Sequence, residues 1–116
     1  MAKGPSRTRR VGDLIQAELA EILKRETNDA RFSLVTILEV IVSPDLSHAK
    51  VFISVLDKQR VPGVIDALNK ASKYLRFQLA QRIELRVIPA LRFVYDDSVA
   101  HGQHISALIE KALKRV

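Results

Sequence analysis

The sequence predicts an α+β domain with a small mixed sheet, on three observations. Two adjacent segments with strand patterning flank a Ser43-Pro44-Asp45 turn, helical apolar periods lie on both sides of that pair, and a third strand pattern follows Pro89. A length of 116 residues with 47% hydrophobic residues supports one core and leaves no room for a second.

From Val11 to Thr27, the residues Val11, Leu14, Ile15, Leu19, Ile22 and Leu23 recur at helical spacing, so this segment is expected to be an amphipathic helix. Residues 1–10 lie ahead of that period and are expected to form a basic flexible tail, with residues 11–116 as the folded domain. Leu34 to Val42 is a nearly continuous apolar run rich in Val and Ile, the pattern of a buried strand. Ala49 to Leu56 alternates, with Val51, Ile53 and Val55 on one face and Lys50, Phe52 and Ser54 on the other. The two strands should form an antiparallel hairpin. Pro62 suits the start of a helix whose buried stripe is Val64, Leu68, Ala71, Leu75 and Leu79. A strand is expected over Leu91 to Tyr95, and Ser98 is placed to cap a last helix carrying Ile105, Leu108, Ile109 and Leu113. The order is helix, strand, strand, helix or broken helix, strand, helix, which gives a three-stranded mixed sheet with helices on one face.

The net charge of +6 is unevenly distributed. Residues 1–12 and residues 61–92 each carry +4, residues 13–60 carry −2, and residues 93–116 balance. A polyanionic partner is favoured by such asymmetry, because each neutralised phosphate releases counterions. Lys70, Lys73 and Arg76 fall roughly opposite the buried stripe of their helix and form a solvent-facing ridge. The six aromatic residues (Phe32, Phe52, Phe77, Phe93, Tyr74 and Tyr95) are expected mostly in the core, so phosphate and RNA shape should be read rather than a series of stacked bases.

Other chemistries find little support. Without cysteine there is neither a disulfide nor a thiolate zinc site, and no apolar stretch is long enough for a leader or membrane span, so a cytoplasmic protein with no membrane association is expected. No phosphate-binding glycine loop, serine elbow or paired-carboxylate motif is present. One enzyme-like constellation remains: Asp96, Asp97, His101 and His104, where His-x-x-His could place two imidazoles on one helix face for a metal-dependent hydrolase. The competing explanation is a turn whose Asp and Ser side chains cap the final helix.

Two stretches carry a more specific likeness. The hairpin Val42-Ser43-Pro44-Asp45-Leu46-Ser47-His48-Ala49-Lys50-Val51-Phe52-Ile53, and the segment Pro89-Ala90-Leu91-Arg92-Phe93-Val94-Tyr95-Asp96-Asp97-Ser98 with Gly102 and Ile105, resemble the ribosome-binding factor A family. Together with Leu75-Arg76 and Leu85-Arg86 the resemblance spans most of residues 7–110. It implies a type II K-homology topology with a helix-kink-helix in place of the Gly-x-x-Gly loop, and a chain that needs no cofactor and catalyses nothing. It further implies an assembly factor, a monomer when free. Such a factor binds 16S rRNA in the free small (30S) ribosomal subunit and supports late maturation and rRNA processing, especially in the cold.

The family's kink carries Ala-x-Gly, where this chain has Ala71-Ser72-Lys73. If the kink forces an unfavourable backbone at Lys73, the change Lys73→Gly should stabilise the protein, and if the helix runs straight there the same change should destabilise it; the kink is expected to persist. The RNA contacts expected on these grounds are Arg7, Arg9 and Arg10 from the tail, and Lys70, Ser72, Lys73, Arg76, Arg82 and Arg86 from the central basic region.

Overall fold

The computed structural model describes residues 7–25, 27 and 29–96. Within them the order is α1 (Arg7–Arg25), β1 (Val35–Val42), β2 (His48–Val55), α2 (Val61–Lys70), α3 (Ser72–Arg82) and β3 (Ala90–Tyr95), with short 3-10 turns at Ala30–Leu34 and Lys58–Arg60. The sheet runs β1-β2-β3, antiparallel between β1 and β2 and parallel between β2 and β3. This is the expected α+β, K-homology-like arrangement. Residue 97 onward, including Ser98 and the expected last helix, lies outside the described residues.

The sheet buries one face. Val40 and Val42, Ala49 through Val55 at every second position, and Leu91 and Phe93 point into a core completed by Ile15, Leu19 and Ile22 of α1, Val64 and Leu68 of α2, and Leu75 and Leu79 of α3. The opposite face carries Lys50, Phe52, Ser54, Arg92 and Val94. The free edge of β3 is covered by a side chain: Asn69 donates from Nδ2 to the Phe93 carbonyl at 3.1 Å and accepts from the Phe93 N–H at 2.9 Å. It satisfies the two backbone groups that a fourth strand would otherwise take.

One expectation is corrected here. Helix α1 begins at Arg7, so Arg7, Arg9 and Arg10 belong to its first turn and not to a flexible tail. A helix held by the packing of Val11, Ile15 and Leu19 extends backwards at little cost, since each added residue gains a hydrogen bond and arginine is a good helix former. Deleting residues 1–10 would therefore cut into α1 as well as remove charge.

The hairpin turn is built by polar side chains. The Leu46 N–H donates to the Ser43 carbonyl at 2.8 Å, and Leu46 then adopts φ 62°, a left-handed conformation unusual for a branched residue. Asp45 holds this turn together. Its carboxylate accepts from the Ser47 hydroxyl at 2.7 Å, the Ser43 hydroxyl at 2.7 Å and the Ser47 N–H at 3.1 Å. The Ser47 hydroxyl bond, then that of Ser43, then the Ser47 N–H hold its pKa down to about 2.

Since the folded pKa lies below the ordinary value of 3.8, Asp45 stabilises the fold above that value, and the contribution disappears as pH falls through about 2. Thermal unfolding followed from pH 5 to pH 2 should show this loss in the wild type. In Asp45→Ala the corresponding component should be absent.

Candidate nucleic-acid interface

The kink implied by the resemblance stands at Ala71. There the backbone takes φ −89°, ψ 4°, between α2 and α3, while hydrogen bonds cross the break from the Ala71 N–H to the Ala67 carbonyl (3.0 Å) and from the Leu75 N–H to the Ala71 carbonyl (2.9 Å). Ser72 opens α3, half-buried, and Lys73 follows inside the helix, exposed. Among the described residues Leu46 is the only non-glycine with positive φ, so Lys73 carries no left-handed strain. That selects the destabilising outcome for Lys73→Gly. Glycine at an ordinary helical position should destabilise the protein by about 0.5–1 kcal/mol, measurable by denaturant unfolding.

Beyond the kink, α3 and the segment 83–89 enclose a groove with a cavity volume of about 490 Å³, lined by Lys73, Arg76, Phe77, Ala80, Leu85, Arg86, Val87 and Ile88. Its cations come from one helix face and from a loop that returns alongside it. The apolar contribution is unusual for a solvent-facing surface: Phe77 and Val87 are each 58% exposed. A second cleft adjoins it through Leu85, Arg86 and Val87, and brings in Arg7 of α1 with Asp45, Leu46 and Ser47 of the hairpin turn. The surface is thus basic along Lys73, Arg76 and Arg86, and mixed where Asp45 and Arg7 line the same cleft.

The remaining sequence-expected cations do not join this surface on equal terms. Lys70 pairs with Asp66 at 3.0 Å on α2. Arg82 is tied to Glu18 of α1 at 3.3 Å, joining the end of α3 to the first helix. Arg9 projects about 200° around α1 from Arg7 and lines a different cleft, with Asp13, Gln16 and Glu39. Arg10 is exposed on α1. Arg76 is more than a ridge residue, because its Nε donates to the Ile88 carbonyl at 2.8 Å and so fastens the loop before β3 to α3. A variant combining Lys73→Glu with Arg76→Glu should therefore fall below wild-type stability, unlike one confined to freely solvated ridge residues.

Sequence reasoning missed the aromatic part of the site. Phe32 and Phe93 are buried, but Phe77 and Tyr74 are exposed on α3 and Phe52 and Tyr95 are half-buried. The signal was present: Phe77 is two residues from both Leu75 and Leu79, about 200° away from the buried stripe. In the hairpin turn His48 contacts the Ser47 hydroxyl through Nδ1 at 2.8 Å.

Of the metal constellation, Asp96 is described and its N–H donates to the Ile53 carbonyl at 2.8 Å, extending the β2–β3 pairing. Asp97, His101 and His104 lie outside the described residues, and among the described residues no group of three or more His, Cys, Asp or Glu is placed to hold a metal. Nor is any helix among them long and apolar enough to cross a membrane.

Comparison with known proteins agrees with this architecture. The family model for ribosome-binding factor A matches residues 7–109. A ribosome-binding factor A of Pseudomonas fluorescens is 50% identical over 97% of this chain and 87% of its own length. The crystal structure of ribosome-binding factor A from Thermus thermophilus superposes with a TM-score of 0.68 at 27% identity, covering 78% of this chain and 97% of that one. A Thermus thermophilus ribosome binding factor A homology model, fitted into the cryo-EM map of a 30S complex, gives a TM-score of 0.64 at 28% identity over 75% of this chain and 92% of that one. With the family model matched across most of the chain and half of its residues shared with a relative, this chain belongs to the ribosome-binding factor A family.

Proposed function

We propose that this protein is a non-catalytic assembly factor that binds 16S rRNA in the free small ribosomal subunit and supports late maturation and processing of that RNA, with its greatest importance in the cold. The observation that carries this reading is the basic groove of Lys73, Arg76 and Arg86 in a chain of this family. The fit of a Thermus relative into a 30S complex supports the choice of particle.

Lys73 and Arg86 contact phosphates along the groove, and Arg76 presents its remaining guanidinium N–H groups there while Nε holds Ile88. Phe77 and Val87 give the groove an apolar floor against which a sugar or an unstacked base can rest. Ser72, half-buried at the start of α3, stands next to the kink and within reach of the same RNA backbone. Arg7 and Arg10 extend the contact at the start of α1, while Arg9, Lys70 and Arg82 contribute to the general positive field. Before meeting the particle, the protein is a cytoplasmic monomer.

Sedimentation of the protein with separated ribosomal particles tests the reading. Co-migration with small subunits well above that with large subunits or complete ribosomes is expected. Equal distribution among the three would reduce the claim to general RNA binding.

A further inference from the structure

We propose that Lys50 and Arg92 form a second phosphate-binding pair, on the open face of the sheet, through which the protein holds an RNA backbone on the side away from the α3 groove. Strands β2 and β3 are parallel and in register, with Lys50 directly opposite Arg92. Both are exposed, and both point away from the helices, since their strand neighbours Ala49, Val51, Leu91 and Phe93 are the buried ones. Adjacent strands lie only about 4.8 Å apart, so the two cationic side chains rise side by side.

Like charges directly opposite one another weaken a sheet unless an anion lies between them. Neither cation has a carboxylate partner among the described residues. Glu39 stands on the neighbouring strand β1 opposite Phe52, one step along from Lys50, whose own β1 partner is the apolar Ile41, 50% exposed. The Lys50 ammonium rests 5.9 Å from the centre of the Phe52 ring, a contact that positions the charge without neutralising it. His48 lies two residues earlier on β2, and with Lys50, Asn69, Ala90 and Arg92 it borders a cleft of about 480 Å³. The face therefore offers two cations that are uncompensated among the described residues, with the His48 imidazole close by.

A phosphodiester suits this pair, because its two unesterified oxygens can accept from the ammonium and the guanidinium together. An acidic protein segment would meet the same charges. RNA is favoured because a flat strand surface with paired cations and a half-exposed Phe52 combines backbone neutralisation with an aromatic contact, as sheet surfaces that bind single strands do. With the groove beside α3 on the other side of the sheet, the domain would touch RNA on two faces. This placement goes beyond the proposed function, and either could hold without the other.

The test uses the full chain carrying Lys50→Gln and Arg92→Gln, with protein-free ribosomal RNA as the probe and salt concentration as the variable. Loss of two phosphate contacts should weaken binding about tenfold at moderate salt and make the slope of log affinity against log salt shallower by roughly 2. The thermal midpoint should stay level or rise, since a repulsive pair has been removed.

An unchanged slope, or a clear fall in thermal midpoint, overturns the proposal. The exchange Lys50→Arg with Arg92→Lys keeps both charges and should keep the slope, and a comparable loss there would mean the positions matter for packing and overturn it too. Polyglutamate competing as well as RNA at equal charge would assign the pair to an acidic protein and likewise refute the RNA site. Preference among ribosomal particles is read separately, by sedimentation, so failure of the proposed function leaves this slope measurement intact.

Discussion

Gly12→Ala should destabilise the domain by about 1–3 kcal/mol, the cost typical of forcing an extra carbon into a packed interior. Helix propensity argues the other way, because alanine gains about 1 kcal/mol over glycine inside a helix. Geometry decides between them. A Cβ at Gly12 would lie 2.6 Å from the Val40 carbonyl oxygen and 3.6 Å from the Val40 carbonyl carbon. The obstacle is backbone of a paired strand, so it cannot rotate aside as a flexible side chain would. Relief requires α1 to lift from β1, which would loosen Val11 and Ile15 together with Val40 and Val42. For a domain of this size each kcal/mol moves the thermal midpoint by about 4 °C, so a drop is readily seen by calorimetry. As a control, Gly63→Ala meets nothing within 4 Å in the first turn of α2 and should be neutral or mildly stabilising. If Gly12→Ala proved as stable as wild type, close approach of α1 to the sheet would not be what selects glycine there.

That contact shows where the sequence stops being informative. Periodicity in Ile15, Leu19 and Ile22 identifies α1 and its buried face, and alternation in Val51, Ile53 and Val55 identifies β2, because each pattern depends only on how side chains point along one element. Nothing local says that Gly12 is the point where α1 touches β1, since that depends on how two elements meet. The start of α1 is invisible for a related reason: Arg7 to Arg10 have no apolar residue to mark a period, yet they continue a helix that packing has already nucleated.

The candidate site divides in the same way. That residues 61–92 are basic is legible from counting, and that Lys73 is exposed follows from helical spacing. Long-range partners separate cations that look equivalent in the chain: Glu18, 64 positions from Arg82, and Ile88, 12 from Arg76, engage two of them. Segment 83–89 contributes Arg86 and Val87 only because it folds back along α3, which no pattern within it announces.

Reversing charge at Lys73 and Arg86 together should have the largest effect on binding. Neither residue has an ion-pair partner among the described residues, both are exposed, and they approach the same groove from α3 and from the returning loop. The variant Lys73→Glu with Arg86→Glu therefore removes two phosphate contacts and sets two carboxylates against the RNA, while leaving the Arg76 to Ile88 bond in place. Losing two contacts alone should make the salt slope shallower by roughly 2, and the added repulsion should bring the weakening on small subunits to about a hundredfold or more at moderate salt. Thermal unfolding should remain near wild type, since surface substitutions without a specific partner usually change stability by no more than about 0.5 kcal/mol. Arg76→Glu supplies the contrast: it should weaken binding and also lower stability, because the Ile88 carbonyl loses a charged donor. A folded Lys73→Glu, Arg86→Glu protein that still sediments fully with small subunits would remove this groove from the RNA surface. The contact would then have to be carried by the sheet face or by the start of α1.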